Sequence, residues 1–372
     1  MKYFNYINSD CDMKFQELKD SFFYKYPINL DKETEFDVLK YSLGAFLYIP
    51  AIQEKMLDNV LDGKVKGLSA FAVCLEDSVG ENGEKEAIEN LERFLRLLNE
   101  RVEEERILKE DLPFIFIRPK NESNLSKILP IIKKYKELLM GVVIAKATGE
   151  KVDSFADMLD NNELSDLYLL PIIESPEFIQ AQYKEEAFTK MAFFINKHKS
   201  KILNIRIGVT DILGHYGIRR EQSLSIYDSV IYKMFLSDII SYLKDLDIPI
   251  SGGVSEFFNT DNDEILNSFE RELLMDRLNG LIGKTVIHPK QLILVQLFNV
   301  VTYEDYIDAA TILSNTDNKF GALGSLNSNR MNEVKPHYKW AKKVMVLSSI
   351  YGVYNEGITF KDALKRVSKI GI

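Results

Sequence analysis

The chain has 372 residues, of which 46% are hydrophobic and 28% charged, a balance that excludes general disorder and lets a large core form without staples. Its formal net charge of −9 argues against a nucleic-acid coat. Two cysteines, Cys11 and Cys74, exclude a disulfide framework and a Cys-rich zinc module. The four histidines (His198, His215, His288 and His337) are scattered, with none at HExxH spacing. No basic segment followed by an apolar stretch opens the chain, and no apolar run reaches about 18 residues. A soluble cytoplasmic protein without a signal peptide or membrane span is therefore expected.

In chain order, residues 1–43 read as an added helical arm. Short apolar runs then recur at 45–50, 70–75, 113–118, 141–146, 167–173, 203–209, 248–253 and 281–287. Each is nearly continuous, as in a strand covered on both faces of a parallel sheet. Polar, periodic segments lie between them, among them 84–101, 123–138, 176–197 and 225–246. In the first, Ile88, Leu91, Leu95 and Leu98 form one inward stripe. The second contains Pro130 and is expected to kink or split. Alternating strands and helices imply parallel βα units. Eight such units predict an α/β fold, a closed (β/α)8 TIM barrel over 44–299. The competing doubly wound sheet has fewer strands and often a Gly-rich first turn, and no GxGxxG follows the first strand here. Residues 300–372 read as a C-terminal lid and helical extension, with a polar Gly/Ser/Asn-rich loop at 316–335. A last helix is expected from about Pro336 to just before Gly352.

Chemistry in a barrel sits at the carboxyl ends of its strands. Those ends carry Glu76 and Asp77, then Arg118, Lys146, Glu174, Thr210 with Asp211, and His288. The opposite ends carry ordinary residues such as Gly44, Leu112 and Gly141. Glu174 and Asp211 fall on neighbouring strands five and six, about 4.8 Å apart, close enough for both carboxylates to bind one cation. Two carboxylates with no Cys or His nearby favour Mg²⁺ (or Mn²⁺) over Zn²⁺. Helix capping is the alternative role for each. Arg118 offers a fixed fork for a carboxylate or phosphate, or an ion pair to Glu76 or Asp77. Glu76 and Asp77 can anchor the site or shape the electrostatics of its mouth. Lys146 can act as a base or Schiff-base amine, but an ion pair with Glu174 or Glu76 is the stronger reading. His288 either closes its strand or serves the site, and His215 is an ordinary loop histidine. Arg206, Arg219 and Arg220 are expected on a solvated helix face, and Cys74 is expected to be a buried inert thiol.

The chain resembles the HpcH/HpaI aldolase and citrate lyase β-subunit superfamily. The resemblance rests on FLYIPA, VCLEDSV, FIRPKN, VVIAK, LLPIIESPEF, IRIGVTDILGHYGIRR, SGGV and GKTVIHPKQL, in the family's order across about residues 44–292. The nearest subgroup is the TIM-barrel C–C bond lyase-like proteins of tellurium-resistance-type gene clusters. This resemblance implies a Mg²⁺-dependent barrel that cleaves or forms a C–C bond next to a carbonyl in a 2-oxo or 2-hydroxy acid or an acyl thioester. It implies metal ligation by Glu174 and Asp211, substrate contact by Arg118, and site roles for Glu76, Asp77 and Lys146. Glu333 lies near the family's C-terminal acid, which can reach a neighbouring subunit's site. A trimer or hexamer of identical subunits is also implied, with a small-molecule oxo or hydroxy acid or acyl-CoA-type substrate and no nucleic-acid or membrane partner. Pro50-Ala51-Ile52-Gln53 departs from the family's basic first-strand motif, and Cys74 replaces an acid. The chemistry can therefore be kept while the substrate differs. The alternatives are a Mg²⁺-dependent acyl-CoA thioester hydrolase and a non-catalytic partner in a stress-resistance or biosynthetic complex.

Overall fold

The computed structural model describes residues 1, 3–4, 22–77, 79, 80, 82–315, 322–325 and 330–369. Cys11, Ser78, residues 5–21 of the expected arm, and 316–321 and 326–329 of the expected lid lie outside the described residues. The chain divides into two compact units, Glu35–Leu292 and the pair Met1–Thr34 with Ile293–Ile372.

The larger unit is the barrel. Its strands are β1 (Ala45–Pro50), β2 (Ala70–Cys74), β3 (Phe114–Arg118), β4 (Gly141–Ile144), β5 (Tyr168–Ile173), β6 (Arg206–Ile207) and β7 (Lys284–Val286). They form one parallel sheet in the order β6-β5-β4-β3-β2-β1-β7. Strands β2, β3 and β4 are buried along their whole length, which is why they lack the alternation of a half-solvated strand. The segment expected as a strand at 248–253 is held only by isolated parallel bridges, Ile205↔Ile250 and Gly252↔Lys284. These still close the ring between β6 and β7. Pro249 has no N–H for a ladder. A side chain at Gly252 would come within 2.3 Å of the Asp276 carboxylate, so the backbone is squeezed against the outer helices there.

The helices are α1 (Glu54–Leu61), α2 (Glu84–Glu103), α3 (Glu122–Lys134), α4 (Gly149–Asp160), α5 (Lys184–Lys197), α6 (Val209–His215), α7 (Val230–Leu243), α8 (Asp263–Leu278) and α9 (Pro289–Asn299). In α2 the buried stripe is Ala87, Leu91, Phe94, Leu95 and Leu98. Pro130 is accommodated inside α3, and the expected break falls later, where Lys136–Leu138 forms a separate 3-10 turn. The run at 203–209 yields a strand of only two residues, because α6 begins at Val209 after the single residue Gly208.

The register sets the rim of the barrel. Pro50 pairs with Cys74, and Cys74 with Arg118, so β1, β2 and β3 end at one level. No helix among the described residues is long and apolar enough to cross a membrane.

In the smaller unit, Phe23–Lys25 pairs antiparallel with Val353–Tyr354, and Ala322–Gly324 with Met331–Glu333. Helices α10 (Tyr303–Ser314) and α11 (Val334–Tyr351) share a core of Ala309, Ile312, Ala341 and Val344, with Trp340 packed against it. Helix α12 (Phe360–Lys369) follows.

Candidate active site

Six charged side chains meet at the carboxyl rim. Glu76 and Asp77 lie just past β2, Arg118 ends β3, Lys146 lies two residues past β4, and Glu174 directly follows β5. Asp211 differs from its expected place at a strand end. It sits in the first turn of α6, brought back to the rim because the strand before it stops at Ile207.

Arg118 is the hub. Its Nη2 lies 2.8 Å from Glu76 Oε2, 3.3 Å from Asp77 Oδ2 and 3.4 Å from Glu174 Oε1. Its guanidinium stacks 5.2 Å from the Tyr48 ring centroid, and Nη1 approaches Cys74 Sγ at 3.7 Å. The Lys146 Nζ donates to Glu76 Oε1 at 2.5 Å and Asp77 Oδ1 at 2.8 Å, and stands 3.9 Å from Asp211 Oδ1. Its backbone N–H donates to Glu174 Oε1 at 2.8 Å. That bond forms with Lys146 at φ 47, in the left-handed region. Arg118 thus makes the ion pairs of its alternative role, and Lys146 makes the favoured one, with Glu76.

Glu174 does not cap the turn that follows it. One carboxylate oxygen takes the Lys146 N–H, and the other leans over Gly208, where a Cβ would come within 2.1 Å of Oε2. Any side chain at 208 would expel this carboxylate. Burial pushes the Glu174 carboxyl up to about 7, reinforced by the charge of Asp211 and opposed by Arg118. Burial and the charge of Asp77 also raise Asp211, against the pull of Lys146 and Arg118. Burial and hydrogen bonding to Asp77 raise Glu76. Although burial opposes it, hydrogen bonding to Glu76 and Lys146 holds Asp77 down at about 2. Three rim acids, Glu76, Glu174 and Asp211, are thus raised, and Arg118 and Lys146 offset the charges of Glu174 and Asp211 only in part.

Such a pair is chemically suited to a hard divalent cation. No group of three or more His, Cys, Asp or Glu side chains is arranged to hold a metal among the described residues. Two carboxylates fit an ion such as Mg²⁺, which keeps water ligands, better than a closed protein cage for Zn²⁺. The pair opens onto a cavity of about 590 Å³ that Arg118, Asp77, Tyr48 and His288 also line. The remaining wall is largely apolar, including Leu47, Ile172 and Ile207.

The other candidates fall as follows. His288 borders the cavity, stacked on Phe258 at 4.4 Å, and its Nδ1 accepts the Lys290 N–H. His215 and Arg219 are exposed. Arg220 is not on a solvated face but buried against Glu272 at 2.8 Å. Arg206 is buried inside the barrel, over the Phe46 ring. Glu333 belongs to the smaller unit, where it precedes α11 and its N–H donates to His337 Nδ1 at 3.0 Å. Sequence reasoning passed over Tyr48, Gly208 and Thr285. Arg206 carried a usable signal, since a cation inside an apolar strand demands a reason.

The fold recurs in solved structures. A citrate lyase from Burkholderia xenovorans LB400 superposes with a TM-score of 0.62 at 13% identity, covering 86% of this chain and 95% of its own. The CitE protein of Mycobacterium tuberculosis, in complex with magnesium, acetoacetate and coenzyme A, gives a TM-score of 0.56 at 14% identity, covering 83% of this chain and 99% of its own. A malate synthase from Haloferax volcanii gives 0.51 at 14%, covering 67% and 72%. No curated protein sequence matches the chain. Residues 37–353 match the family model of C–C bond lyases of the TIM-barrel fold, and the chain therefore belongs to that family of lyases.

Proposed function

We propose that this lyase is Mg²⁺-dependent (Mn²⁺ serving in its place) and cleaves or forms a C–C bond next to the carbonyl of a 2-oxo or 2-hydroxy acid or acyl thioester. The observation that carries the reading is the pair Glu174 and Asp211, two acids raised by burial and by neighbouring negative charge, beside a cavity that also receives Arg118. These two carboxylates would hold the cation, which when bound supplies Lewis acidity toward a carbonyl oxygen.

The chain's own residues do the rest. Arg118 keeps its Nε–H without a hydrogen-bond partner while Nη2 is tied to three carboxylates. A guanidinium so anchored offsets negative charge that develops on a substrate oxygen without having to reorganise. Glu76 and Asp77 orient Arg118 and Lys146. Lys146, held protonated by those two acids against the effect of its burial, is suited to charge balance and proton donation, and not to Schiff-base chemistry. The magnesium and acetoacetate of the CitE complex support a small acid as ligand.

Calorimetric titration with Mg²⁺, combined with a screen of 2-oxo acids and acyl-CoAs for Mg²⁺-dependent turnover, tests the reading. Wild type is expected to bind the ion and Glu174→Gln to lose it. If neither Mg²⁺ nor Mn²⁺ binds and Glu174→Gln is indistinguishable from wild type, the reading is lost. Release of free CoA without a new aldehyde or oxo acid would instead make the enzyme a thioester hydrolase.

A further inference from the structure

Lys151 lies in the first turn of α4, half-buried beside the end of β4. Thr148 caps that turn, accepting the Lys151 N–H at 3.2 Å. The Lys151 Nζ donates to the Ala145 carbonyl oxygen at 2.6 Å. Burial pushes this ammonium below the ordinary lysine range, and carboxylates act on it only from longer range, Glu122, Glu76 and Glu174 among them. A long cationic side chain thus gives up water and conformational freedom to hold one backbone oxygen.

That oxygen belongs to the peptide joining Ala145 to Lys146, and the N–H of the same peptide donates to Glu174 Oε1 at 2.8 Å. A trans peptide is planar and points its C=O and N–H in opposite directions. One rigid unit is therefore gripped from both sides, by an ammonium at the oxygen and a carboxylate at the N–H. The ammonium draws electron density towards the carbonyl and makes the N–H a stronger donor, since hydrogen bonds in series polarise one another. It also holds the plane against rotation where Lys146 turns away at φ 47, a strained torsion for any residue but glycine. The other Glu174 oxygen is crowded over Gly208, so this N–H decides where Oε1 points.

We propose that Lys151 is a positioning residue for the candidate metal centre, setting the Glu174 carboxylate through the Ala145–Lys146 peptide without touching it. The proposal rests on the Mg²⁺ reading for what Glu174 then binds, and not for the coupling through the peptide.

Two readouts test it. Isotope labelling of alanine carbonyls and lysine nitrogens gives correlated amide signals only from Ala–Lys pairs, which the chain has at Ala145–Lys146 and Ala341–Lys342. In the metal-free protein the Lys146 signal is expected downfield, and Glu174→Gln should move it upfield by removing the charged acceptor. Lys151→Met should move it the same way and leave the Lys342 signal in place. In calorimetry that variant should bind Mg²⁺ about tenfold more weakly, as is usual when the support of a metal ligand is lost. Lys151→Arg should restore part of both effects, and Lys151→Gln carries the test if Lys151→Met does not fold. A Lys146 signal that stays in place overturns the proposal whether or not Mg²⁺ binding weakens, and so does Mg²⁺ affinity equal to that of a wild type that binds the ion. If the signal moves but wild type binds no Mg²⁺, the positioning role stands and the metal reading falls.

Discussion

Two clusters of opposite charges lie on the same barrel and behave differently. Behind β7, Lys284 is fully buried, 3.2 Å from Glu272 Oε2 and 3.0 Å from Asp276 Oδ2. Arg220 takes the other Glu272 oxygen at 2.8 Å, and the Tyr227 hydroxyl donates to Asp276 at 2.7 Å. Two acids meet two bases, sealed between the sheet and α8. At the carboxyl rim four acids meet two bases beside an open cavity. The first cluster is complete without a ligand, and the second is not. Perturbed carboxyls occur in both, so perturbation alone does not mark a site; charge imbalance next to accessible space does.

The comparison can be broken from either side. Lys284→Met should have the largest effect on stability, a loss of about 3–5 kcal/mol in denaturant unfolding, because it leaves the buried Asp276 without a cation and Glu272 with Arg220 alone. Arg118→Ala should act on catalysis, lowering turnover by about 10²–10³, or about 3–4 kcal/mol of barrier, with Mg²⁺ binding retained. A pH series sharpens the contrast. Glu174 titrates near 7 in the folded protein against an ordinary value of 4.5, so the metal-free fold holds a proton that the unfolded chain has released. Its stabilising share is present below about 4.5 and is lost as pH rises through about 7. Asp77, held down at about 2, loses its share only as pH falls below its ordinary 3.8, outside that window. The metal-free melting temperature should therefore fall between about pH 5 and about pH 8, and Glu174→Gln should flatten that fall. The smallest effect is expected from Lys146→Met. Its ammonium is half exposed and Arg118 still serves Glu76, so unfolding should change by no more than about 1 kcal/mol.

The barrel was legible because fully buried parallel strands leave unbroken apolar runs such as 70–75 and 141–146. Residues at their ends declared the rim. Less legible was everything set by backbone detail. Nothing in 203–209 says that the strand stops after two residues, since the stop depends on Gly208 making room for Glu174, a contact 34 positions away in sequence. The segment around Gly252 loses its ladder for a similar reason, with Asp276 crowding it from α8. Neighbouring basic residues such as Arg219 and Arg220 are usually solvated, and only the fold reveals that Glu272 lies behind Arg220. The metal-ligand roles proposed for Glu174 and Asp211 come from the resemblance, and geometry supplies what surrounds the two carboxylates.

Lys146 is pulled in two directions by its position. Its backbone at φ 47 is one that glycine adopts most easily, while its ammonium closes the charge network above β4. A lysine there stores a small strain that a glycine would release. Selection for heat resistance alone should thus return glycine at position 146, and selection for turnover should return lysine. The residue that a population keeps would report which pressure it has lived under.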